Sequence, residues 1–214
     1  MYLSRLILDP RSRRVRREVS EPYEMHRTLM NAFLSADTSA PGRVLFRLDT
    51  PPDGQMSRPG LVLLVQSEVL PDWRFLAGAP GYLLAGAGEN PAVKPFQPTF
   101  SGGQRLAFRL RANPTVKRDG KRRGLCSAEE QRAWLERKAQ ESGFVVLAAD
   151  VMREGAVGGE IHRSEEETHA LRLLAVRFDG LLQVGDPPRF LAALQQGIGS
   201  GKGLGFGLLS LARA

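Results

Sequence analysis

Residues 21–33 read EPYEMHRTLMNAF and place Tyr23, His26 and Arg27 within five positions of one another; His26 is one of three histidines in the chain. These three residue types together suit phosphate-ester chemistry. An imidazole takes up or releases a proton near neutral pH, and a phenol beside it can position a hydroxyl or share the transfer. A guanidinium can hold a phosphate through charge-assisted hydrogen bonds. On a helix, the three fall within an arc of about 100°. That arc lies at the border of the apolar stripe formed by Met25, Leu29 and Phe33. A histidine at such a border suits either catalysis or a purely structural post, and the residues alone leave both readings open.

The helix itself is well marked. Pro22 fits its first position, and Glu24 lies in its first turn, near the positive end of the helix dipole. A strand over residues 2–9, YLSRLILD, precedes it and ends at Pro10. Between them runs an arginine-rich connection, RSRRVRREVS, which brings positive charge beside the tyrosine–histidine pair. Within it, Arg13 and Arg14 are candidate phosphate contacts, as is Arg27 on the helix. Two short strands follow, 43–49 and 61–67, separated by the Pro/Gly-rich TPPDGQMSRPG. A short helix or turn near PDWRFL and an irregular run from Ala77 to Pro98 complete the first half.

The second half opens on an alternating strand, 104–112. Its first helix has Ser127 as N-cap, Glu129 and Glu130 in the first turn and Gly143 as its stop. Strands are expected at 144–154 and 170–184, the latter with a tight turn at Asp179-Gly180. A helix over 187–197 and the glycine-rich IGSGKGLGFG lead to a last strand, LLSLA. Each half thus approximates strand–helix–strand–strand–helix–strand. The expected fold class is α+β, with two tandem ferredoxin-like (RRM-like) βαββαβ domains. The expected boundaries are 1–90 for the domain carrying the helix of His26, 91–102 for a linker and 103–214 for the second domain.

Residues 101–125 hold eight basic side chains against one acid, as much positive charge as the net +7 of the whole chain. Lys117, Arg118, Lys121, Arg122 and Arg123 lie in a turn-rich segment, here expected as a projecting basic loop. It suits either a solvated surface or a clamp on phosphates. The later string GIGSGKGLGFG carries six glycines in eleven residues. It fails the Walker A pattern, because Gln196 and Gly203 stand where that loop needs Gly and Ser or Thr, and it has no Gly-x-Gly-x-x-Gly frame. It partly echoes an RNA-recognition-motif signature, but Leu204 and Leu209 replace the stacking aromatics. Gly199, Gly201 and Lys202 remain as a candidate phosphate-contacting loop, in which backbone N–H groups can approach an anion closely. A tight helix-to-strand turn is the plain alternative.

The bulk numbers agree with an anionic partner, since the chain has 30 Lys and Arg against 23 Asp and Glu. Cys126 is the single cysteine, which excludes an internal disulfide and a cysteine zinc cluster. No secretory signal and no apolar run long enough to cross a bilayer is expected, so the reading is a cytoplasmic protein without a membrane partner. His162, Glu166 and His169 would share a face if helical and could hold a metal. The glycines at 155, 158 and 159 argue for a loop or hairpin there instead, so no metal site is expected.

Taken together, MYLSRLILDP, EPYEMHRTL, RLAFRLRANP followed by the basic KR and GKRR, and the terminal GIGSGKGLGFGLLSL resemble the CasE family of CRISPR-associated endoribonucleases. These belong to the repeat-RNA-processing superfamily and serve the type I-E (Cascade) system. The resemblance spans essentially the whole chain. It implies tandem ferredoxin-like domains that bind the stem-loop of a CRISPR repeat RNA and cleave the precursor without a metal or other cofactor. It further implies that the product stays bound and that the chain joins other Cascade subunits. The family's catalytic histidine falls on His26, its tyrosine on Tyr23 and its glycine-rich loop on residues 197–207. Asn31 and Leu34 stand where some relatives carry more polar groups, which leaves a third catalytic group unassigned. The implied reaction is attack of the ribose 2′-OH on the adjacent phosphate, giving a 2′,3′-cyclic phosphate and a 5′-hydroxyl. The alternatives from the residues are a non-catalytic RNA-binding subunit of the same complex, a metal-dependent enzyme using His162, Glu166 and His169, and an unrelated basic protein that binds DNA or small anions.

Overall fold

The alternation at the N-terminus forms strand β1, Tyr2–Leu8, with Ser4, Leu6 and Leu8 buried on one face. The structure is a computed structural model that describes residues 1–34, 42–49, 60–162 and 168–214, without the side chains of 159–162 and 168–172. The chain divides into two units. One comprises Met1–Gln97, Gly158–Leu171 and Gly203–Gly205; the other comprises Pro98–Val157, Arg172–Lys202 and Phe206–Ala214.

In the first unit, β1 lies between β3, Leu61–Ser67, and β4, Ala92–Pro95, antiparallel to both. Strand β2, Val44–Asp49, pairs outside β3, so the sheet order is β2-β3-β1-β4. Strand β4 forms in the stretch read as the start of the linker. Helices α1, Arg13–Ser20, and α2, Pro22–Met30, follow one another directly. Their Val15, Met25 and Leu29 join Leu6, Leu8, Leu63 and Val65 in one buried cluster. Each such side chain contributes about 1.5–3 kcal/mol by leaving water. The arginine-rich segment expected as a connection is therefore mostly the helix α1. Val15 and Glu18, one turn apart, are its buried residues, while the arginines line the remaining face.

The second unit repeats the plan. Strand β5, Arg105–Ala112, buries Leu106, Phe108, Leu110 and Ala112. With β8 (Phe144–His162), β9 (Thr168–Val184) and β10 (Leu209–Arg213) it forms a sheet of order β10-β5-β9-β8. Helix α3, Ala128–Glu141, starts with the expected cap. Ser127 Oγ accepts from the Glu130 backbone N–H at 3.1 Å, and the Glu130 carboxylate accepts from the Ser127 N–H at 3.2 Å. Helix α4, Pro187–Gln196, is capped by Asp186. Trp134 of α3 stacks on Phe178 at 6.0 Å, and Phe144 meets Phe190 of α4 edge-on at 5.5 Å, closing this core.

Counting each sheet's own strands, the order is second, third, first, fourth in both. This is the tandem ferredoxin-like α+β fold expected from element order. In the first unit a 3-10 stretch, Trp73–Gly78, stands where a second helix was expected. Two local readings are corrected. Asp179-Gly180 is no turn but lies inside β9, opposite Arg109 and Phe108. A Cβ at Gly180 would fall 2.0 Å from the Ala148 carbonyl oxygen, so the glycine serves a close backbone approach. The basic loop is an ordered hairpin, β6 (Thr115–Arg118) and β7 (Lys121–Gly124). Asp119 and Gly120 both have positive φ, 51° and 76°, as a type I′ turn requires.

Candidate active site and candidate nucleic-acid interface

Helix α2 presents Tyr23 and His26 half-buried and Arg27 exposed. Met25 and Leu29 anchor the helix in the core, which leaves His26 on the margin of the buried face. Its Nδ1 is buried and has no hydrogen-bond partner among the described residues. Burial lowers the imidazole pKa below its ordinary value near 6.5, so the neutral form prevails at physiological pH. Gly203, from the glycine-rich string, belongs to this same unit. A Cβ on it would lie 3.6–3.9 Å from Cε1, Nδ1 and Nε2 of His26, so this glycine stands beside the imidazole ring. A polar nitrogen stripped of water with no partner is costly, and such orphans mark sites awaiting a ligand or a proton.

Arg27 donates through Nη1 to Glu24 Oε1 at 3.0 Å, and Arg17 lies 3.7 Å from the other oxygen of Glu24. Exposed pairs of this kind are weak, so a phosphate can compete for Arg27 at small cost. Arg13 is exposed on α1. Arg14 is committed elsewhere: its Nε donates to Glu18 at 2.8 Å and its Nη2 to Thr28 Oγ1 at 3.0 Å, although its side chain stays 46% exposed.

In the second unit the long basic segment separates into two fates. Arg109 is paired with Asp179 at 2.6 Å, and Arg111 with Glu154 at 2.6 Å, across the sheet. The hairpin keeps Lys117, Arg118, Lys121, Arg122 and Arg123, with Lys117 opposite Arg122 and Arg118 opposite Lys121. Like charges facing across a ladder repel, an arrangement relieved when a polyanion lies along it. Lys117 and Arg122 also border a cavity of about 680 Å³ with Lys138, Arg189 and Lys202, floored by Trp134 and edged by Gly199. Gly199 has φ of +88°, and a Cβ there would sit 3.0 Å from Trp134, so glycine permits this wall. Gly201 is not among the lining residues and lies against Phe206 and Leu173.

The sequence reading did not single out Lys138 and Arg189. Neither lies in a basic run. Lys138 follows Trp134 by one helical turn, and that spacing is the only signal for it. Arg189 also donates to the carbonyls of Gln140 and Glu141 at the end of α3, at 3.3 and 3.0 Å. Among the described residues Glu141 is the one acid lining the cavity, and it accepts from Lys138. Glu166 and the side chains of His162 and His169 lie outside the described residues.

The family described as CRISPR associated protein matches residues 1–213 of the chain. A CRISPR-associated endoribonuclease, Cse3 of Thermus thermophilus, is 41% identical over 223 residues, spanning 99% of this chain and 100% of the relative. The Cascade subunit CasE of Escherichia coli is 35% identical over 123 residues, 51% of this chain and 59% of the relative. Among solved structures, Thermus thermophilus Cse3 bound to an RNA representing a pre-cleavage complex superposes with a TM-score of 0.80 at 42% identity, covering 99% of this chain and 98% of that one.

Proposed function

Because the chain belongs to the CRISPR-associated protein family, in the branch that contains Cse3 and CasE, we propose that His26 is the general base of its reaction. The chain is an endoribonuclease that binds CRISPR repeat RNA, processes the precursor to guide RNA and works with the other subunits of Cascade. The single observation that carries the role of His26 is its half-buried imidazole, neutral at physiological pH, with Nδ1 unpartnered.

The chemistry follows from RNA itself. The 2′-OH beside the scissile phosphate is the nucleophile, and His26 takes its proton as the O–P bond forms. The bond from phosphorus to the 5′-oxygen breaks, that oxygen takes a proton from water, and the fragments carry a 2′,3′-cyclic phosphate and a 5′-hydroxyl. Tyr23, three residues away on α2, positions the 2′-OH, and Arg27 holds the phosphate as charge builds on it. Such proton transfer is worth about 10²–10⁴-fold, and in-line alignment must supply much of the remainder. All the groups needed are side chains, the RNA hydroxyl and water, and the proposed reaction uses no metal. The hairpin residues Lys117, Arg118, Lys121, Arg122 and Arg123, with Lys138, Arg189 and Lys202, neutralise phosphates of the stem.

No helix among the described residues is long and apolar enough to cross a membrane. The reading places the protein in the cytoplasm, with the repeat transcript. The test incubates the protein in EDTA with a repeat hairpin and identifies the end groups. Wild type should cut to a cyclic phosphate, while His26→Ala should lose at least 10²-fold in rate and bind the hairpin with similar affinity. Cleavage by His26→Ala at the wild-type rate would remove this residue from the chemistry, and a requirement for divalent ions would replace the mechanism.

A further inference from the structure

Glu18 is a charged residue that the chemistry above does not use, yet it is only 4% exposed. Its carboxylate collects three donors. Oε1 accepts from Arg14 Nε at 2.8 Å and from Thr28 Oγ1 at 2.7 Å, and Oε2 accepts from Tyr82 Oη at 2.6 Å. The cluster is closed on itself. Arg14 Nη2 donates to Thr28 Oγ1 at 3.0 Å, and the guanidinium carbon lies 5.2 Å from the centre of the Tyr82 ring. Tyr82 is 1% exposed, and burial followed by the adjacent carboxylate pushes its phenol well above the ordinary range, so it stays a donor.

Two of the residues this cluster grips lie on the helix that carries His26. Thr28 is two positions beyond His26, and Met25, whose sulfur accepts weakly from Tyr82 at 3.7 Å, is one before it. A nine-residue helix has little stability of its own, so its rotation and height are set by what packs against it. The apolar contacts of Met25 and Leu29 are non-directional and do not by themselves fix these. Hydrogen bonds to a buried charge are directional and costly to break. We propose that Glu18 is a positioning residue for catalysis: its carboxylate ties α1, α2 and Tyr82 together and holds the His26 imidazole in register with the scissile linkage. Glu18 itself stays off the RNA, and Arg14 serves this cluster rather than a phosphate. Misplacement of a reacting group by about 1 Å can cost on the order of 10²-fold in rate, which is the scale at stake. The inference rests on His26 acting in the reaction.

The test is Glu18→Gln. An amide keeps the shape but offers one acceptor oxygen and adds two donors, where three donors already converge. With a repeat hairpin saturated by protein, the single-turnover rate should fall about 10–100-fold while hairpin affinity stays within about threefold. The control for a merely structural effect is a cycle with His26→Ala. Loss of folded protein would slow both backgrounds equally, whereas loss of positioning should leave the residual rate of His26→Ala untouched by the second change. Tyr82→Phe, which deletes one hydroxyl, should repeat the pattern more mildly and serves if Glu18→Gln does not fold. Wild-type rates in the foldable variants, or equal losses in both backgrounds, would overturn the positioning role and leave His26 standing. Wild-type cleavage by His26→Ala would overturn both.

Discussion

An imidazole acts as a base only while it is neutral, and for His26 burial favours that state at physiological pH. Its pKa is lowered by loss of water. The cleavage rate measured below saturation, which reports the free enzyme, should therefore rise with pH, bend below about 6.5 and stay level through neutrality. A rate that instead falls as pH climbs through this range would make His26 an acid. The same shift bears on stability. The folded state disfavours the charged ring, so this contribution is complete above about 6.5 and is lost as pH drops from there towards the lowered value. That Tyr23, His26 and Arg27 share one face was legible, because three- and four-residue spacing decides it within a single helix. The buried, unpartnered nitrogen was not, since burial of a ring atom depends on packing between elements.

At the scale of elements, the β6–β7 hairpin calls for the closest test, because it carries five basic side chains against a single acid, Asp119 at its turn. Arg109 and Arg111 belong to the same basic run but spend their charge on Asp179 of the adjacent β9 and Glu154 of β8, one strand further. Sequence counts them equally with the hairpin residues; only strand pairing separates them. Replacing Lys121, Arg122 and Arg123 with glutamine should weaken hairpin binding and reduce the slope of log affinity against log salt by about two to three. An unaltered slope would assign the phosphate contacts elsewhere. Helix α3 was readable to its cap, because Ser127 and Glu130 satisfy a local rule. Helix α1 was not, because a run of arginines hid Val15 and Glu18, whose burial is a tertiary event.

Across the molecule, the proposed chemistry and the main basic surface are supplied by different parts of the fold, and kinetics can separate them. At saturating protein, the Lys121, Arg122 and Arg123 variant should recover a single-turnover rate within a few-fold of wild type, whereas His26→Ala should stay slow at every concentration. A triple variant that remains slow at saturation would mean that the hairpin also aligns the reacting linkage. Local pattern and composition were enough to indicate a basic α+β protein with ferredoxin-like halves and a helix bearing Tyr23 and His26. These follow from alternation, helical spacing and turn chemistry, which operate over a few residues. Tertiary structure alone decided that Gly203 comes near the imidazole, that Lys138 and Arg189 join the basic cavity and that Tyr82 reaches Glu18. The reason is that burial and ion pairing depend on neighbours tens of residues apart, and a buried charge takes its partners from wherever the fold delivers them.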